Sequence, residues 1–548
     1  MTARQTRRSF IGGVAAAGSV LPIAHAADNK RVSLKVDDAS EGKPISPFIY
    51  GSNELGTMDG GVLSATLDKA AGVTARRLGG NLMTSYNWTN NNDNSGKDWE
   101  HTSGDNLFRF LQIPKNRQLE PAAVISTMHQ ASLDQGAVSL VQVPLAGYLA
   151  ADHNGPVTEA QAAPSSRYQP ISWKRVSPDA APQAGSAVVP MPKLIELMKA
   201  KFGTADSKRG IFGYALDNEA GLWPETHPRI VRKPVTIKDL IERSIEAATA
   251  IKEIDPSALI FGPCSWGIPE MVNFQNAPDW PSYTQYGSFL GAYLAAFRRA
   301  SEERGVRLLD VLDIHWYAYS KKGDLFRTEK PELASAVLDA PRSLSDVGFR
   351  EDSWISEALS GAKPDGITMP FFPSLQRIIE KWYPGTRLSV SEFNFGGSGQ
   401  VASGLAIADA LGRFGQSGVY FATHWGLLND MIGQAYRLFR MPDVAQESFG
   451  DYALPTTGLP EPSMTAYAAR TGREGRIQVI VINKATTEQA LNLELLSGRP
   501  HRLIDTIGFD ETHRTAGHVN GIGNHHDGQW DLALPARSAR RYVFERAV

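Results

Sequence analysis

Two glutamates stand where strand-like segments run out, far apart in the chain. Tyr214-Ala215-Leu216-Asp217-Asn218-Glu219 and Leu388-Ser389-Val390-Ser391-Glu392 each pass from apolar residues into a carboxylate at the point where a strand should end. Each would place an acid at the rim of a sheet. Two carboxyl groups facing one another across a sugar-binding cleft are the minimum equipment for breaking a glycosidic bond. One gives a proton to the leaving oxygen and the other attacks the anomeric carbon.

The residues around the pair suit that chemistry. Asn218, directly before Glu219, offers an amide that can hold a substrate hydroxyl in register with the acid. Trp223 follows in a proline-bounded loop and reads either as a sugar-stacking platform or as a buried aromatic. The densest signal is Arg77-Leu78-Gly79-Gly80-Asn81, then Tyr86-Asn87-Trp88-Thr89-Asn90-Asn91-Asn92-Asp93-Asn94 and Asp98-Trp99. Sugar rings present hydroxyls at their edges and C–H groups on their faces, so a site for them combines amides and carboxylates with flat aromatics. A run of Asn alone would be a solvated turn, and the interleaved Tyr86, Trp88 and Trp99 carry the functional reading. His315-Trp316-Tyr317 and His424-Trp425 put aromatics at two further strand ends. Neither histidine sits in a His-Glu-x-x-His or similar cluster, which argues against metal-assisted hydrolysis. Cys264 reads as the tail of a buried strand, and His513, His518, His525 and His526 read as residues of a solvated Gly- and Asn-rich loop.

To meet in space these residues need a repeating framework. Short apolar runs recur at residues 45–53, 74–80, 137–148, 211–219, 258–265, 311–319, 387–395 and 419–427. Helical spacing fills gaps between them, as in residues 239–255, 288–305, 374–382 and 404–414. Eight strand–helix units close a (β/α)8 barrel, whose catalytic side chains sit at the carboxyl ends of the strands. Glu219 then ends strand four and Glu392 lies near the end of strand seven. The long gaps after strands three and six should build up the same face. From about residue 451 strand-like runs follow one another closely, as in a small antiparallel sandwich. The expected fold is α/β, a TIM-like barrel over residues 44–450 with a C-terminal β-sandwich over 451–548, joined by an N-terminal strand within 28–43.

Residues 1–27 carry adjacent arginines, Arg7 and Arg8, before a mildly apolar stretch closing on Ala24-His25-Ala26, the pattern of a twin-arginine export signal. That stretch is too short and weakly apolar to span a bilayer, and the route leads to the periplasm or the exterior. Its removal takes three arginines and no acid, moving the formal net charge from -2 to -5. No basic field is left for nucleic acid. With a single cysteine among 548 residues, an internal disulfide is impossible and stability must come from packing. The expected state is a monomer whose partner is a polysaccharide.

Taken together these segments resemble glycoside hydrolase family 44, the endoglucanases and xyloglucanases built from a (β/α)8 barrel and a β-sandwich. The resemblance spans nearly all of the mature chain, through Ile45-Ser46-Pro47-Phe48-Ile49-Tyr50-Gly51, the loop from Gly80 to Trp99, Val143-Pro144-Leu145-Ala146-Gly147-Tyr148, Leu216-Asp217-Asn218-Glu219 with Thr226-His227-Pro228-Arg229, Glu351-Asp352-Ser353-Trp354-Ile355, and Ser391-Glu392-Phe393-Asn394. It implies a retaining double displacement on β-1,4-glucans such as carboxymethylcellulose and xyloglucan, with Glu219 as acid/base and Glu392 as nucleophile. It implies no cofactor for catalysis, and a structural divalent cation, calcium among the possibilities, whose ligands the sequence does not identify. Glu219 must then hold a proton while Glu392 is ionised, so environment has to separate two identical side chains. Arg77 is either the partner that stabilises Glu392 or part of an ion pair elsewhere. Asn81, Trp88, Trp223, Trp316, Tyr317, Trp425 and Asn218 are the expected substrate contacts. Ala220, Phe393, Phe395 and Tyr317-Ala318-Tyr319 depart from the family pattern. They motivate an alternative, a polysaccharide-binding barrel with weak hydrolysis or none.

Overall fold

The computed structural model describes residues 31–54, 63–174, 188–441, 448–459, 462–519, 523–526 and 528–547. The expected export signal lies outside them. Eight parallel strands close into a barrel in chain order: β1 (Gly51–Asn53), β2 (Ala75–Leu78), β3 (Val138–Val143), β4 (Gly213–Leu216), β5 (Leu259–Ser265), β6 (Val311–Tyr317), β7 (Arg387–Asn394) and β8 (Phe421–His424). Their near-continuous burial explains why they read as unbroken apolar runs, since a barrel strand faces side chains inward and helices outward. Helices Ile237–Ile254, Phe289–Arg304, Phe371–Trp382 and Val401–Ser417 fall on the segments with helical spacing.

Several strands are shorter than the apolar runs that announced them. Ser46 accepts a hydrogen bond from the Phe48 N–H ahead of Pro47, which starts a 3-10 turn, Pro47–Ile49, where strand had been expected. Pro144, with no N–H to donate, ends β3 at Val143. The residues beyond, Tyr148–Ala150, join a separate three-stranded sheet with Tyr168–Ser172 and Val189–Pro190. β4 stops at Leu216 because Asp217 and Glu219 both adopt left-handed backbone, φ 62° and 46°.

After the barrel come two packed sheets. Met464–Arg470, Ile477–Asn483, Ser538–Arg546 and His501–Phe509 form the antiparallel centre of one. In the other, Val32–Val36 runs parallel to Gln489–Leu495, which pairs antiparallel with Gln529–Leu534. Leu34, Val36, Val479, Val481, Leu491, Leu493, Trp530 and Phe544 fill the space between the sheets. His518, His525 and His526 lie in short strands of these sheets, not in the loop expected of them.

The sandwich is anchored to the barrel by a buried charge cluster. Asp409, on the helix Val401–Ser417, receives Lys484 Nζ at 2.8 Å, Arg413 Nε at 3.3 Å and the Tyr467 hydroxyl. Lys484 and Tyr467 come from the sandwich sequence, so one carboxylate ties both layers together.

Candidate active site

β4 and β7 bring Glu219 and Glu392 to the same end of the barrel. Glu392 is 4% exposed and pairs across the sheet with His315 of β6. Glu219 projects from the turn beyond β4, where its N–H donates to the Cys264 carbonyl of β5 at 3.1 Å. The turn is held from below by Asp217. Its buried carboxylate accepts from the Thr84 hydroxyl at 2.7 Å, the Gln142 amide at 3.0 Å, the Asn218 N–H at 2.8 Å, the Ala146 N–H at 3.1 Å and the Leu145 N–H. One side chain thus satisfies five donors and fixes the sharp exit from the strand.

One oxygen of each carboxyl and a ring nitrogen of His315 all lie within 4.8 Å of one another. His315 Nδ1 is hydrogen-bonded to Glu219 Oε1 at 2.7 Å and lies 3.5 Å from Glu392 Oε2. Burial pushes the His315 imidazole down to about 4, so it is neutral between the two acids near pH 7. In the sequence His315 stands at a strand end with no metal-binding cluster around it; its position next to Glu392 on the neighbouring strand is invisible until β6 and β7 are in register.

The two carboxyls have unlike surroundings. Glu392 accepts from Arg77 Nη1 at 2.7 Å on one oxygen and from the Tyr317 hydroxyl at 2.6 Å on the other. Both groups donate hydrogens, so the carboxylate is the form they satisfy. Glu219, with 16% of its side chain exposed, is raised to about 7 by burial, partly offset by the positive charge of Arg77 and reinforced by Asp98. Burial thus favours the protonated form of Glu219, whereas two donors are aimed at the oxygens of Glu392.

Arg77 also organises the floor of the site. Its Nη1 donates to Asn53 Oδ1 at 3.0 Å and its Nη2 to Asn218 Oδ1 at 2.8 Å. Asn218 donates in turn to Asn81 Oδ1 at 3.3 Å, and Asn81 donates to Asp98 at 2.8 Å. Asn218 is therefore a link in a buried network as well as a neighbour of the acid. Asn53 was not anticipated, because nothing in a lone Asn at the end of β1 distinguishes it from a strand cap.

The aromatic expectations divide. Trp223 is fully buried, its indole N–H donating to the Asn218 carbonyl at 3.0 Å, so it braces the turn and is no sugar platform. Trp88, 7% exposed, and Tyr86 belong to the core of the loop after β2. Trp316, 1% exposed, packs against Phe371 with ring centres 4.0 Å apart. Tyr317 touches Glu392 and was expected instead to touch substrate. Trp425 is half-buried at the end of β8, its ring seated on Gly80. A Cβ on Gly80 would come within 2.8 Å of that ring, and its φ of +91° disfavours any side chain.

Two hollows open beside the pair. One of about 250 Å³ is lined by Trp266, Trp316, Tyr317, Tyr319, Phe326 and Trp354. The other, about 240 Å³, is lined by Asn81, Asp98, Trp99 and Trp425 among others. The first gathers at the ends of β5 and β6 and the second at the ends of β2 and β8. A line from β4 to β7 leaves them on opposite sides.

Among the described residues, the group of acids and histidines close enough to hold a metal is Glu219, His315 and Glu392. Calcium takes six to eight oxygen ligands. This set supplies a nitrogen and two carboxyls, and the Arg77 cation already sits on one of them, so it does not fit calcium.

A family model described as Glycoside hydrolase family 44 matches residues 92–320. The chain is 34% identical to Endoglucanase A of Paenibacillus lautus over 559 aligned residues, covering 100% of this chain and 77% of that protein. It is 35% identical to Beta-mannanase/endoglucanase A of Caldicellulosiruptor saccharolyticus, covering 92% of this chain but 38% of that longer protein. Among solved structures, a Paenibacillus polymyxa xyloglucanase from GH family 44 with xyloglucan superposes with a TM-score of 0.87 at 33% identity. The match covers 94% of this chain and 100% of that one. A GH family 44 endoglucanase from Clostridium thermocellum gives 0.86 at 35% identity, covering 94% and 99%.

Proposed function

The chain belongs to glycoside hydrolase family 44, and on that premise we propose that it is a retaining, endo-acting hydrolase of β-1,4-glucan backbones, with Glu219 as acid/base and Glu392 as nucleophile. The observation that carries this reading is the short reach between the carboxyls, with ligand atoms within 4.8 Å. A separation of about 5 to 5.5 Å suits direct attack by the second carboxylate, whereas about 6.5 to 9.5 Å leaves room for a water.

In the first step Glu392 attacks C1 while Glu219 gives its proton to the glycosidic oxygen. The C1–O bond breaks and a C1–Oε bond forms. Arg77 and Tyr317 each engage one oxygen of Glu392, yet each oxygen has a second lone pair, so attack does not require either donor to leave. In the second step Glu219, now a carboxylate, takes a proton from water, whose oxygen displaces Glu392 from C1. The hollows on either side of the pair support endo action, since a chain running between them would cross the reacting carboxyls with sugars on both sides. Their aromatic and amide linings suit sugar faces and hydroxyls. The hydroxyl of Tyr317 stands beside Glu392, so the phenylalanines at positions 393 and 395, both fully buried, give no reason to prefer a binding-only barrel.

Carboxymethylcellulose and xyloglucan are the proposed substrates, the protein acts as a monomer without a cofactor, and the leader read in residues 1–27 would export it. Reducing-sugar release across carboxymethylcellulose, xyloglucan, xylan and glucomannan tests the substrate class, and proton NMR of the first-formed anomer tests retention. Glu392→Gln should abolish hydrolysis. Glu219→Ala should retain slow turnover of substrates with good leaving groups and gain rate from azide. Wild-type polysaccharide activity in both variants would refute the assignment.

A further inference from the structure

Behind Glu219 lies an acid that the two-step reaction does not use. Glu270 is fully buried in the short helix Ile268–Asn273, just after β5. Its Oε2 accepts from the Trp266 N–H at 3.3 Å, and the Gly221 N–H of the turn and the Ser265 hydroxyl also act on the carboxyl. The turn that carries Glu219 rests on this carboxyl: a Cβ at Gly221 would come within 3.2 Å of Glu270 Cγ and Cδ. On its other side the turn is tied to β5 through the Glu219 N–H and the Cys264 carbonyl. Residues 219–221 are therefore seated between the end of β5 and Glu270.

We propose that Glu270 is a positioning residue for Glu219, its buried carboxyl backing the 219–221 turn so that the acid/base carboxyl is held facing Glu392. The inference rests on the assignment of Glu219 as acid/base. Burial pushes Glu270 up to about 8, and the charge of ionised Glu219 adds to the effect. Near neutral pH it is an uncharged group that fills space and accepts from backbone N–H groups. Glutamine has the same shape and keeps an acceptor, so it should serve. Alanine leaves the Trp266 N–H unpaired and an empty space behind the turn, and misplacing a reacting group by about 1 Å can cost about 100-fold in rate.

The test compares kcat/KM, which reports the first chemical step, on carboxymethylcellulose and on an aryl β-cellobioside with a good leaving group. Polysaccharide cleavage needs the proton of Glu219 in that step; departure of a phenol of low pKa does not. Glu270→Ala should lower kcat/KM about 10- to 100-fold on the polysaccharide and less than about 3-fold on the aryl substrate. Gly221→Ala, which overpacks the same contact with Glu270, should show the same split, and Glu270→Gln should stay within about 3-fold of wild type on both. Equal losses on both substrates, no loss, or a Glu270→Gln variant as impaired as Glu270→Ala would overturn the proposal. Should Glu270→Ala fail to fold by circular dichroism, Glu270→Gln and Gly221→Ala decide on the same criteria. Glu219→Ala measured alongside separates the two levels: no azide rescue refutes the acid/base assignment itself, whereas rescue together with unsplit Glu270 variants refutes only the role of Glu270.

Discussion

Glu219 and Glu392 differ less in what they are than in what is aimed at them. With Glu219 raised to about 7, polysaccharide turnover should fall as pH rises through that value, because the protonated form is the one that reacts. The same shift has a sign for stability. A glutamate with a folded pKa above its unfolded value of about 4.3 binds its proton more tightly in the native state, so stability is lost as pH climbs between the two. Glu219→Gln should therefore melt above wild type at pH 8 and level with it at pH 4, read by thermal denaturation at both pH values. Tyr317→Phe removes a 2.6 Å hydrogen bond to Glu392. Its kcat should drop about 10- to 100-fold with KM changed much less, the size expected for losing a hydrogen bond to a charged group. At this scale the acids and Arg77 were legible because their types and their places at strand ends are chemical statements. The tryptophans misled because composition says that an aromatic is present but not which way it faces: Trp223 and Trp316 turned inward, Trp425 did not. His315 stood out only as a residue at a strand end and Glu270 not at all, since the carboxyls that His315 meets and the turn that Glu270 backs lie far away in the chain.

The elements that carry the site are the strand exits. Asp217 holds the turn after β4 with five accepted hydrogen bonds, and its own φ of 62° is one that few side chains tolerate. Asp217→Ala should destabilise the protein by about 3 kcal/mol or more, because several buried donors lose their acceptor together. It should also lower kcat by releasing Glu219. Denaturant unfolding and steady-state kinetics on the same preparation would show both. The eight strands could be located from sequence because barrel strands, buried on both faces, leave continuous apolar runs. Their ends could not, because the stops come from backbone chemistry at Pro47 and Pro144 and from left-handed residues at 217 and 219, and apolar patterning registers neither.

For the whole molecule the decisive contact is the Asp409 cluster between barrel and sandwich. Removing one member of a buried ion group strands the others, at a cost of about 3 to 5 kcal/mol. Asp409→Ala leaves Lys484 and Arg413 without that carboxylate and should lower the melting temperature sharply, whereas kcat/KM measured well below the new transition should stay near wild type, since the cluster is remote from Glu219 and Glu392 in the fold. Calorimetry and kinetics on one variant check both halves. The overall architecture was readable from the change in spacing near residue 451, but the cluster was not, because it joins residues 409, 413, 467 and 484 only after both layers have formed.

The strand Val32–Val36 lies alongside Gln489–Leu495 in the second sheet of the sandwich. During synthesis it must wait, unpaired, until more than four hundred further residues have emerged, while the barrel between the two strands can already assemble. Such a long-range closure is slow by its entropy. Deleting residues 32–36 would thus unpair a sheet whose other strands are all made last.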